Sequence, residues 1–215
     1  MTMQTDYLEK GYTLIPGLIP PEVANAFLHQ LKTALDLKGV PLHALAQSSN
    51  LLKREAAELT ANQYAPMAAF LWGLTPTMRH LTGLDLLPTY SYMRIYREGD
   101  ICRVHSDRYA CEHSLSLTLD YSDGVVWELD VDPRPVEPGP QVDDAFGSTD
   151  FVSLPMEPGD AVLYQGVHRR HGRTKPNPNA WSAHLFLHWV DRNGPYSAHA
   201  FDGQPPPSAV NFKLN

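Results

Sequence analysis

Three stretches in the second half of the chain hold residue types that bind metals. His105-Ser106-Asp107 sets an imidazole and a carboxylate two residues apart. On extended chain both project to the same side and can reach one ion. The segment LYQGVHRRHGRTK (163–175) adds His168 and His171, either of which can serve as a third ligand. Two histidines and a carboxylate on one side of iron(II) leave three coordination positions open, as non-haem iron chemistry with dioxygen requires. The triplet alone is a weak signal: with 10 His and 15 Asp in 215 residues, about 0.7 such triplets arise by chance. Its placement between strands is what gives it meaning. His184 and His188 form the third candidate, since i and i+4 histidines on a helix can share zinc. However, Leu185, Leu187 and Trp189 alternate with His184, Phe186 and His188. That pattern predicts a strand, on which the two histidines are too far apart for an efficient pair and belong to a pocket wall.

Composition narrows the classes. A 215-residue chain that is 43% hydrophobic and 19% charged can bury a core as one domain, residues 1–215. A net charge of −7 argues against an electrostatic grip on nucleic acid or an anionic membrane, and no basic, aromatic-studded stripe offsets it. No apolar run approaches the ~20 residues of a membrane span, and MTMQTDYLEKGY has no signal-peptide pattern. Cys102 and Cys111 are too few for a disulfide scaffold and fit a reducing compartment. The expectation is a soluble cytoplasmic protein. Nothing in the sequence bears on its oligomeric state.

The elements that must position the histidines follow from periodicity. Residues 1–87 read as a mainly helical support region. GYTLIPGL (11–18) reads as a short strand. A helix runs from Pro20-Pro21 to about Leu37, with Val23, Ala24, Phe27, Leu31 and Leu35 on one face. A second helix is expected over 48–60, and a third over 66–81, broken by Gly73 and Pro76. From Pro88 the period becomes two. PTYSYMRIYR (88–97) puts Tyr90, Tyr92, Arg94 and Tyr96 on one face and Met93 and Ile95 on the other. Further strands are expected over 113–121, 125–131, 150–154, 160–165 and 181–190, with a proline-rich surface loop over 130–144. Helices first and short strands afterwards predict an α+β fold, a β-sandwich or barrel over 88–192 behind a helical layer, with 193–215 as a tail.

YSYMRIYREGDICRVHSDRYACEHSLSLTL (90–119) and PGDAVLYQGVHRRHGR…HLFLHWV (158–190), together with the opening GYTLIPGLIPPEVANAF (11–27), resemble the Fe(II)- and 2-oxoglutarate-dependent oxygenases. The nearest groups are the bacterial prolyl-hydroxylase-like and phytanoyl-hydroxylase-like members. The resemblance covers roughly half the chain and implies a double-stranded β-helix (jelly-roll, cupin-like) core with N-terminal helices against one sheet. It implies His105, Asp107 and His171 as iron ligands. Related sequences place the distal histidine five residues beyond a Tyr-x-Gly glycine, with arginine two later, as in Gly166, His171 and Arg173 here. A carboxylate at Asp107 closes the position that halogenating relatives leave open to halide, so hydroxylation or desaturation is implied.

One family feature is missing. Most members carry an Arg or Lys about ten residues past the distal histidine to hold the distal carboxylate of 2-oxoglutarate, and position 181 here is Trp. Arg173 is the expected replacement, because i and i+2 on a strand turn it inward beside His171. Arg94 is second and Lys175 third. Tyr96, Ser116 or Thr118 can add a hydrogen bond. Arg108 and Trp127 are candidate substrate contacts. The implied activity is dioxygenase hydroxylation of an unactivated C–H in a small polar metabolite or amino-acid derivative, consuming O2 and releasing succinate and CO2. A proline-rich lid is expected at 130–149. The alternatives are a protein or peptide side-chain hydroxylase, another iron enzyme that does not use 2-oxoglutarate, and a metal-binding β-sandwich without turnover.

Overall fold

The computed structural model describes residues 3–148 and 150–203. Thr149 of the expected lid and residues 204–215 of the expected tail lie outside the described residues, as do Met1 and Thr2 of the N-terminal stretch.

The chain opens with α1 (Met3–Lys10), β1 (Tyr12–Ile15), α2 (Pro21–Leu37), β2 (Ala46–Gln47), β3 (Ala56–Thr60) and α3 (Pro66–Thr82). There follow β4 (Leu86–Arg97), β5 (Cys102–His105), β6 (His113–Tyr121), β7 (Leu129–Val131) and β8 (Val152–Leu154). β9 (Ala161–Tyr164), β10 (His171–Arg173) and β11 (Trp181–Asp191) complete the set. A seven-stranded sheet runs β1-β9-β6-β11-β4-β3-β2, and a four-stranded sheet runs β5-β10-β7-β8, with all named pairs antiparallel. Two such sheets with helices against one of them make the double-stranded β-helix, as expected.

Strand alternation sorts the large sheet's two faces. Leu115, Leu117 and Leu119 of β6 and Leu185, Leu187 and Trp189 of β11 join Phe27 and Leu31 of α2 and Leu71, Met78 and Leu81 of α3 in the main core. Each fully buried side chain of this kind contributes about 1.5–3 kcal/mol. The other face is built of cross-strand rows: Arg94–His184–Thr118 and Tyr92–Phe186–Ser116, with His188 opposite Ser114. Small Ser and Thr on β6 leave room for the large side chains of β4 and β11. This inner face looks toward the small sheet and bears the site.

The first 87 residues differ from the expectation. Residues 48–60 are not a helix; they form turns and then β3, paired with β4. Ala56, Ala57 and Leu59 are buried, and the Glu58–Arg94 pair ties the two strands together, so tertiary packing overrides the helix propensity of this Ala/Glu-rich stretch. Together β1, β2 and β3 supply both edges of the large sheet. α3 passes unbroken through Gly73 and Pro76. Pro76 is solvent-exposed, so the carbonyl it leaves without a donor can be hydrated. In α2, Ala24, Phe27 and Leu31 are buried, whereas Val23 is 42% exposed. The strands expected over 125–131 and 150–154 shrink to three residues each. Among the described residues no helix is long and apolar enough to cross a membrane.

Candidate metal centre

β5 and β10 are neighbours in the small sheet, and their register sets His171 directly opposite His105. The rings lie 4.4 Å apart, centroid to centroid. Asp107 follows β5 in the loop; its backbone N–H donates to Gly166 O at 2.8 Å, which fixes where the carboxylate points. A Cβ on Gly166 would collide with Asp107 Oδ2 and Ser114 Oγ, so only glycine lets this turn approach so closely. Asp107 Oδ1 then lies 3.4 Å from His105 Nε2 and 3.5 Å from His171 Nε2.

Hydrogen bonding decides the tautomers. His105 Nδ1 lies 2.7 Å from Arg103 O, and His171 Nδ1 lies 2.9 Å from Arg169 O. A carbonyl only accepts, so each Nδ1 carries the proton and each Nε2 turns a lone pair toward Asp107. Three electron-pair donors converging this closely, the two imidazoles buried and the carboxylate partly so, can hold a cation between them, and two imidazoles with a carboxylate suit iron(II). The site's electrostatics fit this. Burial lowers the His105 pKa, with His171 adding to the effect. Burial pushes the Asp107 carboxyl up, but the closeness of His171 and His105 outweighs it and holds the group well below its ordinary value. Ser114 Oγ, 3.0 Å from Asp107 Oδ2, also contacts His188 Nδ1 at 2.9 Å.

Of the other sequence candidates, His168 lies apart, with Nε2 3.3 Å from the Tyr196 hydroxyl. Arg173 enters a narrow chamber behind the trio, lined also by Tyr96, Tyr164, Leu129 and Phe186. It is 1% exposed and donates to Trp127 O (2.5 Å), Ser116 Oγ (3.4 Å) and His184 Nδ1 (3.3 Å). Among the described residues no carboxylate pairs with it. Arg94 does have one: its Nε and Nη2 both donate to Glu58 Oε2, at 3.0 and 2.7 Å. Tyr96 Oη accepts from Arg94 Nη1 at 3.3 Å. Lys175 is exposed and paired with Glu128. Thr118 lies behind His184, at 3.3 Å from its Nδ1, and does not line the chamber. Trp127 likewise backs the site: its indole donates to Lys175 O, and the Arg173 guanidinium sits 5.1 Å over its ring. Arg108 is at the rim of an outer cavity of about 740 Å³, with Tyr90, Tyr92, Glu58 and the 138–142 part of the proline-rich loop. His105 and Asp107 also line this cavity.

Sequence reasoning missed Glu58, Ser114 and Tyr164. Reading 48–60 as a helix concealed Glu58. The Ser/Leu alternation of 113–119 carried a signal for Ser114, since the polar half of a fully buried strand must face partners of its own. Tyr164, whose ring lies 4.5 Å from that of His171, reads from the sequence only as one more residue of an apolar strand.

No protein-family profile matches the sequence, and neither does any curated protein. Solved structures do. A non-haem α-ketoglutarate-dependent carbocyclase from nogalamycin biosynthesis, SnoK, superposes with a TM-score of 0.68 at 12% identity, over 96% of this chain and 93% of that one. HygX from Streptomyces hygroscopicus, with nickel, 2-oxoglutarate and hygromycin B bound, gives 0.65 at 10% identity, over 90% and 88%. A Pseudomonas putida prolyl-4-hydroxylase gives 0.59 at 14% identity, over 86% and 96%. The chain therefore has the fold of the Fe(II)- and 2-oxoglutarate-dependent oxygenases.

Proposed function

We propose that this single-domain protein is an Fe(II)- and 2-oxoglutarate-dependent dioxygenase, with His105, Asp107 and His171 as metal ligands, that hydroxylates a small polar metabolite or amino-acid derivative. The observation that carries this reading is the convergence of two lone-pair-bearing Nε2 atoms and one carboxylate oxygen, with His105 and Asp107 lining a cavity. Arg173 is the anchor for the distal carboxylate of 2-oxoglutarate. It is buried, positively charged and, among the described residues, without a carboxylate partner, and its planar fork matches a carboxylate in two-point contact. Arg94 is already committed to Glu58.

Bound together, the metal and 2-oxoglutarate supply oxidation of an unactivated C–H, with release of succinate and CO2. The protein's own residues do the rest. Carbonyl acceptors at Arg103 and Arg169 hold the two imidazoles in the ligating tautomer. Ser114 Oγ donates to the distal oxygen of Asp107, which leaves Oδ1 for the metal. Leu129, Tyr164 and Phe186 exclude water around Arg173, which strengthens its hold on an anion. Tyr92 and Tyr164 are pushed well up by burial and stay neutral phenols. The outer cavity admits the substrate. Two buried free thiols, Cys102 and Cys111, support a cytoplasmic place of action.

Iron-loaded protein is expected to convert 2-oxoglutarate to succinate in the presence of O2, and His105→Ala, Asp107→Ala and His171→Ala each to abolish this. His168→Ala should retain it. An active His171→Ala protein would overturn the ligand set, and absence of succinate from well-folded, iron-loaded wild type would overturn the class.

A further inference from the structure

The outer cavity has opposite charges at its two ends. At one end Glu58 lines the cavity and gives Oε2 to both Arg94 donors, while Oε1 accepts no hydrogen bond among the described residues. At the other, the Arg108 guanidinium lies 4.2 Å over the Tyr90 ring and donates to Asp202 Oδ1 at 2.8 Å. A guanidinium carries five N–H donors, so Arg108 has donors beyond those that Asp202 and Tyr90 engage. Between the ends runs an aromatic wall. The Tyr90 and Tyr92 rings are 6.0 Å apart and nearly parallel, and Arg94 lies 5.2 Å over Tyr92. Asp107 and His105 line the same cavity.

We infer that the substrate is dipolar, with an amine or guanidinium at one end, a carboxylate at the other and an apolar chain between them that crosses the metal-binding trio. The inference rests on the oxygenase reading for its chemistry, though not for its binding geometry. Tyr90 and Arg94 are four residues apart on β4, about 13 Å at strand rise. Allowing about 3 Å for contact at each end, the ligand's charges are separated by roughly 7–10 Å. The cation meets Glu58 and the carboxylate meets Arg108. Each end is already balanced, Glu58 by Arg94 and Arg108 by Asp202. A molecule of zero net charge extends both pairs without leaving an excess charge in the cavity, whereas a simple cation or anion leaves one. The aromatic wall takes the chain and presents its middle carbons, not its ends, to Asp107 and His105.

The test uses 6-aminohexanoate, whose carboxyl carbon and nitrogen are six bonds, about 7 Å, apart. Hexylamine and hexanoate, each lacking one charge, are the controls. Titration calorimetry on the full chain, metal-free and also loaded with Ni(II) and 2-oxoglutarate to prevent turnover, should show the dipolar probe binding at least tenfold more tightly than either control. Arg108→Gln should erase its advantage over hexylamine, and Glu58→Gln its advantage over hexanoate. Glu58→Gln strips the partner from a buried arginine and can unfold the chain. Arg108 is on the surface, so Arg108→Gln decides the matter alone. Equal binding of all three probes, or an undiminished preference in Arg108→Gln, would overturn the inference. Failure of the metal-loaded protein to bind 2-oxoglutarate would sink the oxygenase reading instead, and the metal-free titration would still report on the dipolar cavity.

Discussion

The seven-stranded sheet presents two faces built from the same strands under opposite rules. On β11, Leu185, Leu187 and Trp189 pack under the helices, while His184, Phe186 and His188 look toward the small sheet. On β6 the leucines take the first face and Ser114, Ser116 and Thr118 the second. The apolar face satisfies itself by burial. The inner face is buried as well, yet it carries Arg94, His184 and His188 and looks onto His105, His171 and Arg173 of the small sheet, and among the described residues two imidazole nitrogens, His184 Nε2 and His188 Nε2, have no hydrogen-bond partner. Buried polar groups without partners cost about 1–3 kcal/mol each. One face thus stabilises the fold, and the other draws on that stability to keep charges and lone pairs poised for ligands.

That contrast can be broken first at the trio. His105→Ala, Asp107→Ala or His171→Ala should reduce iron retention and succinate formation by more than the ~10–100-fold typical of supporting partners. Urea denaturation of the metal-free protein should change little. Leu185→Ala on the opposite face should do the reverse: a loss of about 2–5 kcal/mol of stability with iron affinity unchanged. Arg173→Gln, read by steady-state kinetics, should raise the KM for 2-oxoglutarate about 30-fold or more while metal content stays level. Ser114→Ala should weaken iron binding about 10-fold in a chelator competition, because Asp107 loses the hydrogen bond that orients it.

The smallest effect is a pH dependence from the polar exception on the apolar face. His113 begins β6 beneath Tyr7, whose hydroxyl lies 2.5 Å from its Nδ1, and burial holds its pKa down to about 4. The unfolded side chain titrates near 6.5. Its neutral form therefore contributes stability that is complete above about pH 6.5 and lost as pH falls from there toward 4. Denaturation across that window should show a steeper acid limb in wild type than in His113→Gln, with no difference in slope at pH 7.

Period-two alternation was enough to read the central strands of the large sheet from the sequence, though not its β2–β3 edge: β6 matches the expected 113–121, and β4 and β11 match to within a residue or two. The two faces of β11 could be assigned because Leu and His alternate without interruption. The small sheet was far less legible. β5, β7, β8 and β10 have three or four residues each, too few for a period to show, and their pairing depends on contacts distant in sequence. The His105–Asp107 pair was visible as a local motif. Which distant histidine joins it is set by the β5–β10 register, which no local pattern encodes, and a family resemblance had to supply the choice of His171 over His168. Glu58 was lost with the misread 48–60 segment, and with it the means of telling Arg94 from Arg173.

The most direct test is an anaerobic titration of 2-oxoglutarate into Fe(II)-loaded protein, followed in the visible spectrum. A saturable charge-transfer band, absent in His171→Ala and requiring much higher 2-oxoglutarate in Arg173→Gln, is the expected result. No band from wild-type protein with its iron bound would contradict the assignment of the space between the two sheets as a metal and 2-oxoglutarate site.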